Sequence, residues 1–136
     1  MGPQLDKLLR SLSLDKALSC MRVTTMIKNR FIVEIRNRVV NDNVNSYKKL
    51  FENLPRSKAK DPYWISLLAL YDRLSSSEKE LIIRVVRQVS IDTTATMLAL
   101  IDGIGYSELG EEFKLIDSKG NQYQGDLSNI FLAMCE

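Results

Sequence analysis

The sequence predicts a mainly α protein: a single-domain helical bundle around a long central helix (about 77–102), with a small C-terminal β-hairpin (about 112–124) and a final short helix. Three observations carry this. Residues 77–102, SEKELIIRVVRQVSIDTTATMLALID, form one long stretch with helical apolar spacing. Several shorter segments repeat apolar residues at intervals of three and four. Near the C-terminus, DSKG separates two short strand-like runs, with Gly120 suited to the left-handed position of a tight turn.

The elements follow in order. Pro3 suits a first helical residue, and Leu5, Leu8, Leu9 and Leu12 give a first helix an apolar face. Ser13 offers a second start, continued by Leu14, Leu18 and Met21. Val23, Thr24 and Thr25 are β-branched and weaken helix there, so the sequence leaves open whether the chain breaks. From Met26 to Val40 a helix carries a main apolar face of Phe31, Ile32, Ile35 and Val39. A second strip of Met26, Val33 and Val40, spaced by seven, suits contact with a neighbouring helix or a second chain, which makes it a candidate dimer strip.

NDNVN at 41–45 is helix-stop chemistry, placing Tyr47, Leu50, Phe51 and Leu54 on a further short helix that Pro55 ends. PRSKAKD at 55–61 is a polar, basic loop. Asp61 as N-cap and Pro62 at the first helical position open the next helix, with Trp64, Leu67, Leu68 and Tyr71 inward. Ser77 and Glu80 make a capping box for the central helix, whose apolar side is Ile82, Val85, Val86, Val89, Thr93, Met97 and Leu100. From Ile91 to Ile101 nearly every residue is apolar, small or threonine, which predicts a rod buried on all sides. Arg84, Arg87 and Asp92 interrupt it too often for a membrane span. Phe113–Ile116 and Asn121–Gln124 pair as the hairpin; Asp126 caps a final helix with Leu127, Ile130, Phe131 and Met134 inward.

Composition narrows the function. The chain has 136 residues and no histidine, which removes Ser-His-Asp and Cys-His mechanisms and zinc sites that need imidazole. The spacing of glycines 103, 105 and 110 is neither a dinucleotide fingerprint nor a phosphate loop. Cys20 and Cys135 lack paired spacing and suit reduced thiols in a reducing compartment; with no signal-like N-terminus, the expected location is cytoplasmic. DSKGN lacks the further acidic ligands of a calcium loop. The expectation is a non-enzyme with no cofactor and no metal. An enzyme would have to use carboxylates such as Asp92, Asp102 and Glu108 or the Cys20 thiol, which nothing in the sequence brings together.

Charge is uneven. Residues 1–60 hold 13 Lys and Arg against 5 Asp and Glu, and residues 61–136 hold 6 against 12. The candidate binding surface is therefore basic: Lys28, Arg30, Arg36, Arg38, Lys48, Lys49, Arg56, Lys58 and Lys60. The last five, beside Tyr63 and Trp64, could neutralise phosphates and stack bases; the alternative is two halves folded so that their fields cancel. Asp92, in an apolar stretch, is a candidate buried or pocket carboxylate, with Gln88 and Thr96 as its helical neighbours and any cationic partner left to another helix.

The string RVVRQVSIDTTATMLALIDG, Arg84 to Gly103, followed by a hairpin and GDLSNIF, Gly125 to Phe131, resembles small bacterial helical proteins in which a long helix with an internal Asp precedes a hairpin and a Gly-Asp-Leu helix start. Some small single-domain bacterial proteins of this general kind are immunity or antidote proteins, so the resemblance implies that the chain binds another protein. The leading expectation is a non-enzymatic protein-interaction protein of that type, compatible with a homodimer and with no membrane segment. The alternative is a nucleic-acid-binding or regulatory module using the basic N-terminal half.

Overall fold

The computed structural model describes residues 3–104, 114–123 and 125–136. Helix α1, Pro3–Ile35, passes through a π turn at Arg36–Asn41 into α2, Asp42–Asn53. A 3-10 turn at Arg56–Lys58 leads to α3, Pro62–Asp72, then α4, Ser76–Ile101, and finally α5, Leu127–Cys135. The chain is mainly helical, as its spacing predicts.

Asn41, Asp42 and Asn43 do not stop the helix. A π turn, whose bonds run from residue i to i+5, absorbs them: the Asp42 amide donates to the Asn37 carbonyl. The Asn41 side chain donates to Asn37 Oδ1, and the Asn43 side chain to the Val39 carbonyl. The wider turn advances the register by one residue, so Val40, not Val39, falls below Ile35. Val40 is fully buried and Val39 is 41% exposed. This also dissolves the strip of Met26, Val33 and Val40. Met26 and Val33 face solvent while Val40 lies in the core.

Two apolar clusters hold the molecule. The larger joins Ile32 and Val40 to Val44, to Ile91, Ala95 and Leu98 of α4, and to Leu127 and Phe131 of α5. The smaller stacks Phe51 on Tyr71, ring centroids 4.8 Å apart, over Leu68. Ile83 packs against both and joins them.

Helix α3 follows its sequence signals. The Asp61 side chain accepts from the Tyr63 amide at 2.8 Å, and Leu68 and Tyr71 are buried. On α4 the capping box is Ser75 with Glu78, two residues before the expected Ser77 and Glu80. Nor is its second half a rod buried on all sides. Ile91, Thr94, Ala95 and Leu98 face the core, while Val85, Val89, Met97 and Leu100 are about half exposed. At its end Gly103, with φ +74°, closes a Schellman motif: its amide donates to Leu100 and that of Ile104 to Ala99.

The hairpin is reduced to a turn. Gly120 adopts φ +83°, but among the described residues pairing is limited to one antiparallel bridge, Ile116 with Gln122, and no strand forms. Phe113 and Gln124, the expected outer ends, lie outside the described residues, as do Gly105, Gly110 and Glu108. The Asp117 carboxylate makes this turn locally, accepting from the Lys119 and Asn121 amides, the Asn121 side chain and the Tyr123 hydroxyl. These bonds, Asn121's foremost, hold its pKa down to about 2. Among the described residues no helix is long and apolar enough to cross a membrane.

Candidate partner-binding surface

The nine candidate cations do not form one surface. Lys28 donates from Nζ to the Gly125 carbonyl at 3.1 Å, and Arg36 from Nη1 to the Met134 carbonyl at 2.8 Å, so both pin α5 to α1. Arg38 pairs with Glu34 one turn back. Arg56 forks onto Asp72, its Nε 2.7 Å from Oδ2, and also donates to the Leu54 and Phe51 carbonyls. That pair raises the Arg56 pKa and lowers that of Asp72 through the hydrogen bond first. Lys48, Lys49, Lys58 and Lys60 stay exposed around α2 and the 3-10 turn, and Arg30 is exposed on α1. Trp64 is half-buried in the smaller cluster, and Tyr63 packs edge-on against it at 5.2 Å.

Asp92 is neither buried nor in a pocket. It stands on the solvent face of α4, where its Oδ1 accepts from Gln88 Nε2 at 2.8 Å, the helical neighbour expected to reach it. Asp102 is the carboxylate with the long-range role. Its two oxygens accept from the Gly125 and Ser128 amides, so the end of α4 supplies the anion at the start of α5. Asp126 has φ +66° and makes no capping bond; its side chain accepts from Asn129 instead. Asp102 ends the central helix in sequence, and nothing local in the chain marks its contact 26 residues on.

Among the described residues two clefts stand out. A cleft of about 670 Å³ between α2, α3 and α4 has the Phe51–Tyr71 stack as its floor and both charge signs on its walls. Lys79 sits over the Tyr71 ring at 5.1 Å, and burial raises the Tyr71 pKa. The second, about 810 Å³, lies between α1 and the Asp117 turn, where Phe31 meets Tyr123 edge-on at 5.1 Å. Cys135 is half-buried with its pKa raised by burial, and Cys20 is exposed on α1.

The outer side of α3 differs from both clefts. Tyr63 is 65% exposed and Leu70 46%, and with Pro62 and Ser66 they share one shallow apolar patch; Ile65, 48% exposed, lies further round the helix, across Ser66 and Ala69. Lys60 precedes this face and Arg73 follows it, both exposed. Contiguous apolar surface with a charged rim is the composition of a contact site. No protein-family model, curated protein or solved structure matches the chain.

Proposed function

We propose that the chain is a cytoplasmic, non-enzymatic protein-interaction protein of the immunity or antidote kind, which neutralises a protein partner by docking it on the outer face of α3. The observation that carries this is the apolar patch itself, Tyr63 and Leu70 in solvent beside Pro62 and Ser66, on a helix whose other side is packed. A tyrosine flanked by aliphatic side chains offers a rigid anchor for a partner's pocket. Lys58, Lys60 and Arg73 at its ends favour a partner with an acidic rim, steering encounter more than setting affinity.

The test is a photo-reactive residue in place of Ile65, activated in the native host, with the same residue in place of Lys119 as control. The Ile65 position cross-links one protein, the adduct disappears with Leu70→Arg, and the purified partner expressed alone arrests growth that co-expression relieves. Adducts to nucleic acid lost at high salt would move the function to the basic half, since each neutralised phosphate releases counterions. Turnover of a small substrate would overturn the proposal.

A further inference from the structure

Among the exposed apolar side chains of the described residues outside α3, two stripes match each other. The first is the outer part of α1. Every residue from Ser13 to Val23 is exposed, including Leu14 at 61%, Leu18 at 48% and Met21 at 67%. The spacing of these three places them on one side of the helix. The second is the solvent side of α4, where Leu81 at 54%, Val85 at 59% and Val89 at 58% recur every fourth residue.

We infer that a second copy of this chain covers both, the outer part of α1 of one copy lying along the solvent face of α4 of the other, twice over in a two-fold dimer. Three observations support that occupant. Helix α1 has no Gly or Pro after Pro3 and runs unbroken to Ile35, so its outer part does not bend back to cover its own α4. The charges at the ends of the stripes are complementary, and Arg84 is exposed at the edge of the α4 stripe. Arg10 and Arg22 bracket the Leu14, Leu18 and Met21 stripe, whereas Glu78 and Asp92 bracket Leu81, Val85 and Val89. Asp15 lies at the edge of the first stripe beside Arg22, and Lys16 on the opposite side.

The spacings match as well. At 1.5 Å per residue the two arginines are about 18 Å apart along α1 and the two acids about 21 Å apart along α4. Glu78 keeps its charge although it closes the capping box. In a two-fold arrangement the contact is made twice, which brings the buried surface to on the order of 1,200 Å², the low end for a specific dimer. For an interface of this size we expect a Kd on the order of micromolar, set by the apolar anchors rather than by the area itself. The inference is independent of the α3 proposal, because no residue is shared.

Sedimentation equilibrium on the full chain decides it. The wild type dimerises with a Kd on the order of micromolar, and Leu18→Asp and Val89→Asp each weaken it about a hundredfold or more, since each puts a carboxylate into an apolar contact. Both positions are exposed, so circular dichroism of the monomeric variants shows folded protein. Asp92→Arg restores dimerisation to one of Arg10→Glu or Arg22→Glu, and which one it restores sets the direction of the pairing. A wild type monomeric at about 100 μM overturns the inference, because a dimer with a Kd on the order of micromolar is almost wholly associated at that concentration. So does loss of the dimer with Leu18→Asp but not Val89→Asp, the signature of α1 pairing with α1. Leu70→Arg leaves the dimer intact, so failure here and failure at α3 are read separately.

Discussion

The inner and outer parts of α1 are one helix in two situations. From Ile27 inward the helix is held by tertiary contacts: Phe31 against Tyr123, Ile32 fully buried, Lys28 on Gly125 and Arg36 on the end of α5. Between Ser13 and Met26 the described side-chain hydrogen bonds are local, Thr24 to the Cys20 carbonyl and Thr25 to that of Met21. Such bonds compete with helical geometry as much as they support it. An isolated helix gains little beyond its propensity, and most helical stability in proteins comes from a packed face. In the dimer we propose, the packed face of the outer part belongs to another molecule.

The largest effect that tests this contrast is in the core. Phe131→Ala removes a fully buried ring where α5 meets α1 and α4, and costs about 3–5 kcal/mol. Leu18→Ala, measured where the chain is monomeric, changes stability by no more than about 0.5 kcal/mol, as for other exposed sites. Urea unfolding of both variants checks the pair. Equal losses would mean that the outer helix has an intramolecular partner, and the contrast would break.

A smaller effect sharpens it from the other side. Asp102→Ala leaves the Gly125 and Ser128 amides without their anionic acceptor and costs about 2 kcal/mol, concentrated in α5. Lys28→Ala acts on the same Gly125 segment through its carbonyl and costs about 1 kcal/mol. Because the two residues share one short segment, the double variant falls short of or exceeds the sum. Hydrogen exchange of α5 amides follows it directly, while amides of the outer helix exchange at their wild-type rate.

Which parts were legible in the sequence follows from how local their causes are. The Asp61 cap, the Pro62 start and the inward side of α3 depend on neighbours a few residues apart, and the sequence names them correctly. The capping box of α4 was misplaced because Ser75–Glu78 and Ser77–Glu80 both fit the pattern, and the earlier one gives a helix two residues longer. The π turn is invisible to a 3.6-residue period, so Val39 and Val40 exchanged places. Periodicity also finds an apolar face without saying whether the same chain covers it. Val85 and Val89 read as core, and they are surface. Of the candidate cations, Lys28 and Arg36 became structural through contacts nearly a hundred residues away that no local pattern encodes. Asp102 was missed as the anion of α5 for the same reason.

The smallest expected effect concerns the Asp117 turn, which grips the inner part of α1 through Tyr123 and Phe31. Asp117 is held at a pKa of about 2, whereas an unfolded aspartate titrates near 3.9. The folded value is the lower one, so the carboxylate contributes stability that is present above about pH 4 and lost as pH falls through 2. A carboxyl NMR titration finds the Asp117 midpoint near 2, and the Lys119 and Asn121 amides lose protection across that window. Asp117→Asn removes this pH dependence and leaves the turn weakened at every pH. A midpoint near 4 would mean that the four donors are not engaged in solution, and the turn would then lose its hold on Phe31. That result would move the boundary between the two parts of α1 inward toward Ile32, so the titration locates where the packed helix ends.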